Sequence, residues 1–208
     1  MLRSHRTIIF LIALSGCICC GCYENRTIVV GIQPFDADID LVDTVSAALT
    51  KVYGVKVHVL PSRNIPEESF INIKTPRYRA DEIIRIMKKE KPDSLDYILS
   101  ITSHDISTTK RDRSGNILEP KSRYEDWGVF GLGFRPGSCS VISTYRLRSA
   151  GRNTFITRLK KVAVHELGHN FGLEHCDSPN CVMKDAAETI RTIDQVDLGL
   201  CEQCRRKL

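Results

Sequence analysis

Aromatic residues are scarce in this chain: they make up 7% of its 208 residues, with a single tryptophan. Long apolar runs are scarcer still. A membrane-spanning helix needs about 20 consecutive apolar residues, and the only candidate, residues 7–14, is far shorter. Charge of one sign is also lacking, with 30 basic residues against 25 acidic ones. Loss of residues 1–16 would remove Arg3 and Arg6, leaving 28 basic against 25 acidic, or +3. So mild a balance, with Lys and Arg scattered along the chain, argues against a nucleic-acid partner. Internal repeats and low-complexity segments are absent. With 42% hydrophobic and 26% charged residues, the remainder reads as one ordinary domain, long enough to bury a core without covalent staples.

The first residues stand apart from that domain. Met1 to Arg6 is short and basic, residues 7–14 are apolar and of signal-peptide length, and Leu14-Ser15-Gly16-Cys17 follows at once. This front end resembles a bacterial lipoprotein signal, with Cys17 as the lipidated first residue of the mature chain. The resemblance implies residues 1–16 as signal peptide, 17–26 as anchor and tether, and an exported protein held in a bacterial membrane. Ile18 after Cys17, rather than Asp, points to the outer membrane. An ordinary secretory or uncleaved signal is the alternative. Cys19, Cys20 and Cys22 have no assigned role.

From residue 27 the pattern alternates between strands and helices. Residues 27–33 are apolar and β-branched and read as a buried strand. Asp38 or Asp40 can cap a helix that buries Leu41, Val45, Ala48, Leu49 and Val52 and stops at Gly54. Residues 55–60 alternate as a strand, with His58 on the polar phase. Pro61, Pro66 and Pro76 mark a loop. Residues 80–90 read as a helix stopped by Pro92, with Ile83, Ile84 and Met87 on its apolar face, and 95–101 as a third strand. This β-α-β-α-β opening predicts an α/β fold with a mixed, mostly parallel sheet packed by helices. Residues 103–126 read as a long polar surface loop, either a flap near a site or a plain excursion. Residues 127–134 and 139–145 look like a hairpin, with Cys139 as a small buried hydrophobe. One of its strands could be a sheet edge for an extended peptide. Asn153 or Thr154 would cap a long helix that buries Phe155, Leu159, Val162 and Ala163.

That helix carries the chemistry. His165 and His169 are four residues apart, which places both imidazoles on one helical face. Gly172 is a natural helix stop, after which the chain can turn back and deliver His175. Three nitrogens leave the fourth position open, as catalytic zinc requires. Glu166, beside the first histidine, suits a carboxylate that takes a proton from zinc-bound water rather than binding zinc itself. Directly after come Cys176, Cys181, Cys201 and Cys204, two close pairs with the spacing of a structural tetrathiolate zinc site. Two disulfides are the rival reading.

The string His165-Glu166-x-x-His169-x-x-Gly172-x-x-His175-Cys176-x4-Cys181-x-Met183-x17-Cys201-x-x-Cys204 resembles the archaemetzincin family of the metzincin clan. The resemblance implies a compact metzincin-like domain over 27–208, one catalytic and one structural zinc, and hydrolysis of peptide bonds in peptide or protein substrates. It casts Met183 as the methionine turn, an apolar floor beneath the histidines. Many metzincins carry a tyrosine near that turn; here the neighbours are Val182 and Lys184, so no second electrophile is named. The alternative function is a lipoprotein that binds zinc or peptide with little turnover.

Overall fold

The computed structural model describes residues 26–148, 151–186 and 189–208. The lipoprotein signal, Cys17 and the three cysteines after it lie outside the described residues. No helix among the described residues is long and apolar enough to cross a membrane.

The core is a five-stranded sheet. Strand β1 (Val29–Phe35) lies between β2 (Lys56–Val59) and the central β5 (Tyr97–Thr102), both parallel to it. β5 pairs in parallel with β9 (Cys139–Ser143), and β8 (Gly131–Gly133) closes the edge antiparallel to β9. The order is therefore β2-β1-β5-β9-β8. β1, β5 and β9 are almost wholly buried, as strands covered on both faces must be. Helix α1 (Ile39–Tyr53) starts at Asp38, whose side chain accepts from the Asp40 N–H, and ends at Gly54, so Asp38 is the cap. Helix α2 (Ala80–Glu90) buries Ile83, Ile84 and Met87 as its spacing predicts. Exposed His58 sits on edge strand β2, in keeping with its polar phase.

A second sheet was not anticipated. β3 (Phe70–Asn72) and β4 (Pro76–Arg79) form within the proline-rich stretch. β6 (Ile106–Thr108) and β7 (Trp127–Val129) complete the order β3-β4-β6-β7. The stretch expected to be a long polar surface loop, flap or excursion, thus holds a strand with Ile106 and Ser107 buried, the short helix α3 (Lys121–Tyr124) and a buried Asp126. Strands of three or four residues are too short for periodicity to reveal. Their anchors are charged, since Arg77 bridges Asp105 and Asp126 at 2.9 and 3.1 Å, and Arg146 grips Asp105 at 2.7 Å. The expected strand 127–134 is accordingly two strands, β7 in one sheet and β8 in the other.

Helix α4 (Arg152–Asn170) packs on α1 and on strands β8 and β9. Its N-cap is Gly151, without a side-chain capping bond, rather than Asn153 or Thr154. Both expected caps lie inside the first turn, and glycine is itself an acceptable N-cap. The Tyr53 hydroxyl donates to the Val164 carbonyl at 2.7 Å and ties the end of α1 to the middle of α4. At the far end Asn170 Nδ2 donates to the carbonyls of Phe134 and Cys139, each at 3.1 Å. These bonds fix the β8–β9 turn against the helix. α5 (Ile190–Gln195) and α6 (Glu202–Arg205) finish the chain.

Candidate active site

α4 ends where its histidines are needed. Gly172 has φ of 92°, a conformation without cost only for glycine, and the chain turns back there to bring His175 over the helix. The imidazoles of His165, His169 and His175 converge. One ligand nitrogen from each lies within 4.8 Å of the others, and Nε2 of His165 is 3.0 Å from Nε2 of His169.

Their backbone partners fix the tautomers. His165 Nδ1 faces the Val182 carbonyl at 2.8 Å, and His169 Nδ1 faces the Leu173 carbonyl at 2.9 Å. A carbonyl oxygen only accepts, so both Nδ1 atoms carry protons and both Nε2 lone pairs point at one place. Burial keeps the rings neutral. It pushes His165 down to about 3 and lowers His169 in the same way, with each further depressed by a neighbouring histidine. Two bare lone pairs so close repel unless a cation sits between them. A tetrahedral zinc with Zn–N of about 2.0–2.1 Å would hold its nitrogens about 3.3 Å apart, close to the spacing found. His175 is more exposed, and its Nδ1 lies 3.6 Å from Asp185 Oδ2.

Glu166 lies against strand β8 and lines the same cleft as the histidines. Its side chain is buried, and burial lifts it to about 8 despite a backbone N–H from Gly133. Gly131 makes the fit possible: a Cβ there would stand 2.7 Å from Glu166 Cγ and 2.8 Å from Oε1. Met183 is fully buried beneath the helix, with its sulfur directly under Gly168.

The four late cysteines form a second cluster. All are free thiols, and their sulfurs lie within 4.8 Å of one another. Cys176–Cys201 and Cys181–Cys204 are 3.7 and 3.8 Å apart. A tetrahedron with Zn–S of about 2.3 Å has edges of about 3.8 Å. The Cys201 N–H donates to Cys181 Sγ at 3.4 Å, and the Cys204 backbone N–H holds the Cys201 thiol below its usual range. The cluster is bonded to the floor of the histidine site. The Cys176 N–H donates to the Met183 carbonyl at 2.9 Å, and the Val182 N–H to Gly199 at 3.1 Å.

A cleft of about 430 Å³ runs past the histidines and Glu166, between β8 and the segment after Met183. Thr108 and Lys110 reach it, so part of the expected 103–126 loop does border the site. The residue-type pattern missed the Val182 and Leu173 carbonyls, Asp185, Lys161 and Gly131. Lys161 alone left a sequence signal, since it lies one turn before His165 on the same face.

Three convergent histidine nitrogens beside a buried carboxylate make up the donor set of a metal-dependent hydrolase. The sequence profile of Peptidase family M54 matches residues 28–208. An archaemetzincin of Haloquadratum walsbyi is 34% identical over 172 residues, covering 78% of this chain and 88% of its own. One of Archaeoglobus fulgidus is 28% identical over 177 residues, covering 85% and 96%. The crystal structure of the A. fulgidus archaemetzincin complexed with malonate superposes with a TM-score of 0.70 at 26% identity, covering 87% of this chain and all of that one. The Methanopyrus kandleri archaemetzincin gives 0.71 at 24% identity, a likeness of fold. The chain belongs to peptidase family M54, the archaemetzincins, and is a zinc metallopeptidase.

Proposed function

We propose that His165, His169 and His175 hold a catalytic zinc, that Cys176, Cys181, Cys201 and Cys204 hold a structural one, and that Glu166 is the general base. The observation that carries this is the pair of Nδ1–H···carbonyl bonds, which leaves two neutral Nε2 atoms 3.0 Å apart and aimed together. When bound, zinc supplies Lewis acidity that polarises a carbonyl and brings the pKa of water to about 7.

The rest falls to the chain. Glu166, buried against strand β8 and lining the same cleft as the histidines, would accept the proton of the attacking water and pass it to the leaving amine. Strand β8 is the free edge of the sheet beside Glu166. An extended peptide can pair with its backbone, which brings the scissile carbonyl to the histidines without demanding a particular side chain. The cysteine cluster holds the loop that delivers His175 and floors the site with Met183, so a structural zinc there keeps the third ligand in place.

The test is Glu166→Ala with zinc counted in the same sample. Turnover of peptides falls to background while zinc content stays at the wild-type level. Wild-type activity in that variant would sink the mechanism. We also propose that Cys17 is the lipidated mature N-terminus, which places the domain at a bacterial membrane, the outer one on the strength of Ile18. The support is the basic start, the short apolar run and Leu14-Ser15-Gly16 before it. Mass spectrometry of the N-terminal peptide shows either acylated Cys17 or an unmodified or different end, which would remove the anchor.

A further inference from the structure

The cleft is not neutral. Besides the histidines and Glu166, its lining includes Lys110, Arg135, Lys161 and Lys184 against a single acid, Asp185. Arg135 is paired with Glu174 at 3.0 Å. Lys161 is placed differently. It lies one turn before His165 on α4 and lines the same cleft with Val162, Val182, Ile193 and Val196. The residue is nine-tenths buried. Nζ donates to the carbonyls of Ile193 at 2.9 Å and Asp194 at 3.2 Å, near the end of α5.

Those two bonds pin the ammonium, and the Asp194 and Asp197 carboxylates act on it from beyond contact distance without forming an ion pair. Carbonyl oxygens are uncharged, and an ammonium has three N–H donors. Among the described residues no carboxylate lies within ion-pair distance of Nζ. The nearby Asp194 carboxylate is committed to Arg158, with Nε and Nη2 at 2.6 and 2.7 Å. A lysine needed only to hold α5 against α4 could sit on the outer surface of that contact. This one lines the cleft that the histidines also line, beside the aliphatic side chains of Val162, Val182, Ile193 and Val196. An aliphatic wall beside a buried ammonium held by two carbonyls fits a side chain with a short apolar stem and an anionic end.

We propose that Lys161 is a specificity-determining residue, selecting substrates that carry a carboxylate next to the scissile bond. The proposal rests on the peptidase reading above. The carboxylate can belong to a glutamate or aspartate side chain or to the substrate's own C-terminus. A site built around a polar partner rejects a ligand that lacks it, because its buried group is left unpaired.

Zinc-loaded full chain would be assayed on quenched-fluorescent peptides with amidated ends, with Glu, Gln or Leu placed on either side of the scissile bond. A second set would carry Leu and a free C-terminus. We expect kcat/KM for Glu to exceed that for Leu by about tenfold or more at one of the two positions. If the gain appears only with a free C-terminus, the carboxylate is the terminal one. Lys161→Met then removes the preference, lowering the favoured substrate about tenfold while the Leu peptide with amidated ends changes by less than about threefold. A merely structural lysine lowers all substrates alike, which would overturn the proposal. The wild-type series decides even if the variant does not fold. Cleavage of Leu peptides as fast as acidic ones overturns the specificity and leaves the peptidase intact. No cleavage of any peptide by loaded protein removes both.

Discussion

A Cβ on Gly168 would stand 2.5 Å from the sulfur of Met183 and 2.7 Å from the Tyr53 hydroxyl. The glycine between the two helical histidines is therefore there for what lies beneath it. Gly168→Ala should cost about 1–3 kcal/mol by overpacking and lower Tm by roughly 3–10 °C. Because the clash pushes on the turn between His165 and His169, zinc affinity falls too. Shortening the floor with Met183→Ala in the same chain should recover part of the loss. A double variant as impaired as the sum of the two singles would show that the residues do not act through this contact.

Gly131 and Gly133 offer a contrast along β8. A Cβ on Gly131 meets the Glu166 side chain, whereas one on Gly133 meets the Glu166 carbonyl oxygen at 2.5 Å. Gly131→Ala should displace Glu166, the proposed base, and reduce kcat about 100-fold with zinc content and Tm close to wild type. Gly133→Ala presses on the helix backbone and should instead show first as lost stability. Thermal melts and single-turnover rates separate the two, and equal effects on both readouts would refute the distinction.

Zinc should leave in two stages. The histidine cluster is open to the cleft, while Cys181 and Cys204 are buried. A chelator would strip one zinc and the activity first, with the fold retained. Loss of the second should accompany unfolding, because a closed thiolate site contributes folding free energy. Cys201→Ser would start with about one zinc per chain and a lowered Tm. Two zincs in that variant would exclude the cysteine cluster as a site.

Glu166 gives the metal-free protein a pH signature. Its carboxyl rises from 4.5 to about 8 on folding, through burial. The folded state thus holds a proton that the unfolded state has released between those values. Stability from this source is full below the lower value and is lost as pH rises through the upper one. His165 acts in the opposite sense. Its folded value drops from 6.5 to about 3, so its share is present above 6.5 and is lost toward acid. Comparing wild type with Glu166→Gln isolates the first effect. The Tm advantage of wild type should shrink between pH 5 and 8.5, and a gap that stays constant would mean Glu166 is ionised throughout.

Much of the site was legible in one dimension because its chemistry is local. The i, i+4 spacing of His165 and His169 needs only a helix, Gly172 only a left-handed stop, and the paired cysteines only short loops. The alternation of apolar runs likewise determined α1, α2 and the parallel strands, whose burial is repeated at every turn or every second residue. Tertiary structure decided what depends on distant partners. β4, β6 and β7 are too short to carry a period, and they stand on Arg77, Asp105, Asp126 and Arg146, residues whose charges read as surface until they are seen paired. The tautomers of His165 and His169 were set by carbonyls, which every residue has and no sequence pattern marks. Lys161 showed in the sequence only as a lysine one turn before His165. Only the packing of α5 on α4 turned it inward, because its ammonium met two carbonyl oxygens at the end of another helix and its stem met the wall of the cleft.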